Sequence, residues 1–170
     1  VEELSASNPN ITWVHAPSLQ RWPWARLARQ VRHGLECLRF ADPTYDRLSK
    51  YRRRSEPKAP RVIRWLARYP AARRPAGALL RAMERGIPPP SGLTRWLSEL
   101  APDCLLLGSV TNDGAPQLDH LEAARAAGLR TSLPIYSWDH LSGKALLHIE
   151  PSQVHVWNEI QQREARDMHG

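Results

Sequence analysis

Cysteine is nearly missing from this chain: two in 170 residues, Cys37 and Cys104. Cys37 falls in a helical pattern and Cys104 in a strand pattern, so both are expected to be buried small apolar residues rather than a disulfide or a metal pair. Such usage suits a reducing cytoplasm. No run approaches the roughly 20 apolar residues of a membrane span. There is no Gly-x-Gly-x-x-Gly and no Walker loop. His148 and His155 have no partner at metal-ligand spacing, so neither a metal nor another cofactor is expected. There is no internal repeat. The sequence begins without Met, and a helical pattern is still running at His169-Gly170. It therefore reads as a piece of a longer protein.

What is abundant is arginine, and it is unevenly spread. Residues 1–100 hold 19 of the 24 Lys+Arg and 8 of the 17 Asp+Glu, a net +11; residues 101–170 hold 5 and 9, a net −4. No nucleic-acid module or aromatic platform accompanies the basic half, so nucleic acid is not an expected partner. Arginine-bearing helices resemble those that lie against anionic lipid, which makes an anionic membrane surface a candidate partner and a peripheral place on the inner face of the cell membrane a candidate location. Solvated outer faces of core helices fit the same composition.

The chain divides into three parts: 1–17, 18–100 and 101–170. Ile11–Ala16 alternates apolar and polar residues and reads as a short strand. In the mostly helical basic segment, Trp24, Leu27, Ala28, Val31, Leu35 and Leu38 recur at helical spacing, with Arg26, Arg29, Arg32 and Arg39 on other faces. Helices are also expected over 60–69, with Val62, Ile63, Leu66 and Tyr69 inward, and over 72–85, with Ala76, Leu79, Leu80 and Met83 as the stripe. Ser91 is placed to cap a fourth that carries Leu93, Trp96, Leu97 and Leu100.

From Asp103 the pattern changes. Cys104–Gly108 is a continuous apolar run, as in a strand buried on both faces. A helix over 116–127 closed by Gly128, a strand over 130–136, a strand over 153–157 and a helix from Glu159 follow. Strand, helix, strand, loop, strand, helix predicts an α/β fold with right-handed crossovers and a parallel sheet.

Ligands of such sheets bind beyond the carboxyl ends of the strands, where the loops converge. Three polar loops qualify: Ser109–Gly114 with Asn112, Asp113 and Gly114; Ser137–Lys144 with Trp138, Asp139, His140, Ser142 and Lys144; and Asn158-Glu159. The middle loop combines a carboxylate, an imidazole, a hydroxyl and an ammonium, enough to position a hydroxyl, take its proton and hold an anion. Plainer roles fit the same residues. Asp139 suits a helix cap, Lys144 a solvated surface, Trp138 and Trp157 packing, and Asn158-Glu159 the cap and first turn of the last helix.

Several stretches resemble a bacterial family of glycosyltransferase-like proteins of the GT-B type. They are Pro102-Asp103 with its strand; Gln117-Leu118-Asp119 running on to Glu122 and Gly128; Ser137-Trp138-Asp139-His140-Leu141-Ser142 with Lys144; and Val156-Trp157-Asn158-Glu159 followed by Gln162, Glu164-Ala165 and His169-Gly170. Ala16-Pro17, Trp22 and Leu38-Arg39 extend the likeness upstream. His140 stands where that family more often has Asn.

The resemblance implies two Rossmann-like halves with a cleft between them, this chain being the N-terminal, acceptor-side half without its first strand. Its implied substrates are a nucleotide-sugar donor and a sugar or lipid-linked acceptor, and this piece alone is expected to be inactive. Asp139 or His140 is then the candidate base for an acceptor hydroxyl. Asn112, Asp113, Gly114, Trp138, Ser142, Lys144, Asn158 and Glu159 are the candidate substrate contacts. They should converge on a concave carboxyl edge. Without the first strand, the strand at 11–16 should lie at an edge or apart from the sheet. The alternatives are a non-catalytic ligand- or membrane-surface-binding domain and a nucleotide-sugar epimerase-like enzyme.

Overall fold

The computed structural model describes residues 8, 10–12, 14–19, 22–108, 110, 117–144 and 146–169. Asn112, Asp113 and Gly114 fall outside that set.

The basic segment folds as helices: α1 (Ala25–Phe40), α2 (Ser49–Ser55), α3 (Arg61–Leu66), α4 (Pro70–Gly86) and α5 (Ser91–Leu100). Helix α1 is their hub. Its apolar positions Ala28, Val31, Leu35 and Leu38 pack with Ile63 of α3 and Leu80 of α4. Gly34 allows this approach, since a Cβ there would lie 2.9 Å from Leu80 Cδ1 and 3.6 Å from Ile63 Cγ1. The expected exposed arginines of α1 are met only at Arg26 and Arg29: Val31 to Ala41 are all buried, Arg32 and Arg39 included. On α3 only Ile63 is fully buried, while Val62 faces out, as does Tyr69 beyond its end; on α4, Leu79 and Met83 are exposed. Each of these helices meets its neighbours on one narrow side, too narrow for the whole stripe. Ser91 opens α5 as its first residue, with Pro90 at the cap position.

The sheet has strands β1 (Cys104–Leu106), β2 (Arg130–Pro134) and β3 (Gln153–His155), in the order β1-β2-β3. Both pairings are parallel, with Leu105 beside Thr131 and Leu133 beside Val154. The molecule is thus a mixed α/β protein, mostly helical, with a small parallel sheet. The crossover from β1 to β2 uses α6 (Gln117–Ala126). Gly128 ends it at φ +71°, with its N–H on Arg125 O and the Leu129 N–H on Ala124 O. This paired closure requires a left-handed residue, which glycine supplies at least cost. The short α7 (His140–Gly143) lies between β2 and β3, and α8 (Glu159–His169) follows β3.

One face of the sheet carries the core. Leu107, Leu133 and Ile135, with Leu105, Val154 and Val156, meet Leu118 and Leu121 of α6, Leu141 of α7 and Ile149. A third cluster joins Leu93 and Leu97 of α5 to Ala123 and Ala124 of α6. The opposite face is open to solvent at Cys104, Leu106, Gln153 and His155. The strand at Cys104–Gly108 is therefore not buried on both faces; Leu106 is 69 % exposed and Cys104 is exposed. Nor is there a strand at 11–16, whose described residues are irregular and mostly exposed. Alternation is a local signal, and it becomes a strand only where a ladder partner accepts it.

Candidate functional site

The loop after β2 is built at the carboxyl edge of the sheet and held by three side chains from two helices. From α1, Arg39 donates to Leu141 O at 3.2 Å and to Lys144 O at 3.3 Å. From α8, His169 Nε2 donates to Leu141 O at 2.7 Å while its Nδ1 accepts from Leu147 N at 3.0 Å. Also from α8, Gln161 Nε2 donates to Ser137 O at 3.1 Å. The two-sided bonding of His169 requires the neutral ring, and burial pushes its pKa down to about 4.

Within the loop, the Ser137 hydroxyl donates to Asp139 Oδ1, and this bond, with help from Lys144, holds the Asp139 carboxyl below the usual range. Lys144 Nζ lies 3.9 Å from Asp139 Oδ1 and 5.7 Å from the centre of the Tyr136 ring. Asp139 stands at the start of α7 without capping it through its side chain. His140 is 1 % exposed, packed edge-on against Tyr136 with ring centres 3.9 Å apart. Among the described residues its Nε2 has no hydrogen-bond partner, and burial lowers its pKa. An acceptor hydroxyl therefore cannot reach the His140 ring as it stands. Ser142 is half-buried on α7.

Trp157 and Asn158 form the adjoining wall. The Trp157 indole donates to Ile135 O, tying the end of β3 to the end of β2. Gln161 Oε1 accepts from Trp157 N at 2.9 Å, and Asn158 Oδ1 accepts from Gln161 N at 3.0 Å. Asn158 is thus the cap of α8, and Glu159 is exposed in its first turn, where a carboxylate suits the helix dipole. Three aromatic rings face solvent at this edge: Trp138 at 75 %, Trp157 at 66 % and Tyr136 at 51 % exposure.

Sequence reasoning missed the buried charge cluster beneath the helices. Arg32 of α1 contacts Glu84 of α4 at 3.1 Å, Asp119 of α6 at 2.7 Å and Glu122 of α6 at 3.3 Å. His148 lies between Glu36 at 3.3 Å and Glu84 at 3.4 Å. Glu36 also accepts from the Leu146 N–H. Burial alone would lower the His148 pKa, but the two carboxylates raise it to about 9, so the ring is a cation at neutral pH. Burial pushes Glu122 up to about 7, against the pull of Arg32. Burial would likewise raise Glu84, yet His148 and Arg32 outweigh it and its pKa falls. The sequence signal was Glu36, the one carboxylate in the arginine-rich helix Ala25–Phe40.

Beside this cluster lies a cavity of about 930 Å³. Its walls are Arg81, Glu84 and Arg85 of α4, the end of α6 at Arg125, the segment Leu147–Glu150 leading into β3, and Arg166 of α8. None of the candidate residues of the carboxyl-edge loop lines it. The predicted convergence is met by Asp139 with Lys144, and reaches Asn158 only through Gln161 and Ser137. Trp138 stands out into solvent, and Asn112, Asp113 and Gly114 lie outside the described residues. Among the described residues, no group of three or more His, Cys, Asp or Glu could hold a metal ion. No helix among them is long and apolar enough to cross a membrane. No family model matches the chain, and neither a curated protein nor a solved structure shows significant similarity to it.

Proposed function

We propose that this chain is the acceptor-side, Rossmann-like half of a nucleotide-sugar-dependent glycosyltransferase, with the loop Ser137–Lys144 as its acceptor site. The observation that carries the reading is the set of exposed rings at the carboxyl edge. Trp138, Trp157 and Tyr136 are exposed at the edge that carries the Asp139 carboxylate and the Lys144 ammonium, and aromatic faces beside hydrogen-bonding groups suit the apolar faces and hydroxyls of a sugar. Asp139 is the base in this reading, ionised at neutral pH and 28 % exposed at its side chain. His140 then acts from behind, as packing for Tyr136. Lys144 supports a phosphate oxygen of the donor.

The test uses two substitutions in the protein that carries this domain. Asp139→Asn should lower turnover by roughly 100- to 10,000-fold with acceptor affinity nearly unchanged. Trp138→Ala should weaken the acceptor instead. Full activity in both would remove the loop from the site.

A second reading, a domain that binds an anionic membrane surface, is favoured by α3. Val62, Trp65 and Tyr69 are exposed on the side turned away from α1, with the Trp65 and Tyr69 rings 5.1 Å apart. Arg61 and Arg68 flank them. Apolar rings rimmed by arginine are what an interfacial helix presents to anionic lipid. Sedimentation with vesicles of phosphatidylglycerol, compared with phosphatidylcholine alone, tests it; binding that survives Trp65→Ala would argue against it.

A further inference from the structure

The cavity beside the buried charge cluster is separate from the carboxyl-edge loop, and its chemistry is different. It is bounded by the end of α6 and by the residues that lead into β3, so it opens toward the amino end of that strand. Four arginines from three helices line it: Arg81 and Arg85 of α4, Arg125 of α6 and Arg166 of α8. All four residues are exposed. Arg81, Arg85 and Arg166 form no ion pair with a described residue. The carboxylates on its inner wall are engaged elsewhere, Glu84 by Arg32 and His148, Glu122 by Arg32. Glu150 alone stands among the arginines as an uncommitted anion. The rim is therefore strongly cationic.

The interior is more apolar. Ile87, Leu147, Ile149, Val154, Val156 and Ala165 line it beside the paired Glu84, Glu122 and His148, and no Phe, Tyr or Trp does. Its volume falls within the range of small-molecule sites. A ligand that fits needs an anionic head for the arginines and an aliphatic body for the interior. A phosphate suits the head, since guanidinium groups pair with its oxygens through two parallel hydrogen bonds. The two lining imidazoles, His148 and His169, are already held by hydrogen bonds to Glu36, Glu84, Leu147 and Leu141, which disfavours a nucleobase stacked on them as the body.

We infer that this cavity binds a phosphorylated aliphatic chain, with the phosphate held by Arg81, Arg85, Arg125 and Arg166. The site does not rest on the glycosyltransferase reading, and its test involves no turnover.

The intact chain is titrated calorimetrically with decyl phosphate below its micelle concentration, and in parallel with inorganic phosphate, decanol and adenosine diphosphate. Decyl phosphate should saturate near one molecule per chain, and each of the other three should bind at least roughly tenfold more weakly, because each lacks one half of the match. Arg81→Ala combined with Arg166→Ala should weaken decyl phosphate by roughly 10- to 100-fold. Ala165→Trp, which fills the interior, should abolish binding. Arg163→Ala, on α8 but outside the cavity, should leave it unchanged. Absence of saturable binding overturns the inference. So do a preference for adenosine diphosphate, an unaffected double variant, or an equal loss in Arg163→Ala, which would mark general charge attraction.

Discussion

Arg32 Nη1 and Asp119 Oδ1 lie 2.7 Å apart across 87 residues of sequence, and this ion pair joins the basic helical segment to the acidic α/β segment. Glu84 and Glu122 complete the arrangement, so one guanidinium faces three carboxylates from two helices. The uneven charge along the chain is thus partly an internal matching of two segments. His148 repeats the pattern in reverse, a cation from the α/β segment set between two carboxylates of the helical one.

Removing Arg32 should be costly. Arg32→Met would leave Glu84, Asp119 and Glu122 close together and partly buried without their shared cation. Breaking a buried pair from one side costs roughly 3–5 kcal/mol. Chemical denaturation should show a loss of that order at pH 7. A loss below about 1 kcal/mol would mean that water screens the cluster.

The two buried histidines should shape the pH dependence of stability in opposite directions. His148 has a folded pKa of about 9, above the ordinary 6.5, so its contribution is complete below pH 6.5 and is lost as pH rises through 9. His169 has a folded pKa of about 4, so its neutral ring contributes fully above pH 6.5 and loses that contribution as pH falls toward 4. Glu122, raised from 4.5 to about 7, partly opposes His169 in the acid window, because its proton favours the folded state there. Melting temperatures across pH should therefore fall on the alkaline side in wild type and flatten there in His148→Gln. In His169→Gln the acid limb should flatten instead. An unchanged alkaline limb in His148→Gln would remove His148 from the account.

The two thiols should differ sharply. Burial, with Glu56 adding to it and Arg64 and Arg52 opposing, pushes the Cys37 thiol up to about 11, whereas Cys104 is exposed on the open face of the sheet. At pH 8 only about a thousandth of Cys37 would be the reactive thiolate. A thiol reagent should label one cysteine per native chain and two after denaturation. Two rapid labels in the native protein would place Cys37 outside the core.

Two left-handed positions offer a matched pair of changes. Ala101 ends α5 at φ 44°, a conformation unfavourable for a residue with a Cβ, and Ala101→Gly should stabilise by about 1 kcal/mol. Gly128 has open space around a hypothetical Cβ, so Gly128→Ala should cost about 1 kcal/mol through backbone conformation alone. For a chain of this size each change corresponds to roughly 2–4 °C in melting temperature, of opposite sign. Equal signs would show that something other than φ governs these ends.

What the sequence determined by itself was the local grammar of the chain. The helices at 25–40, 70–86 and 117–126, the glycine stop at Gly128 and the three parallel strands were legible because periodicity, turn residues and crossover geometry act over a few neighbouring positions. The same local signals misled wherever a partner was needed. Ile11–Ala16 alternates like a strand but has no ladder, and Cys104–Gly108 is apolar like a buried strand but borders an open sheet face. Arg32 and Arg39 read as lying on the outer faces of their helix, and His148 as a histidine without a partner at metal-ligand spacing. Only the tertiary structure decided that Arg32 and His148 are buried against carboxylates, because the energy of a buried charge depends on which opposite charge the fold brings within about 4 Å, and those partners lie 52 to 112 residues away.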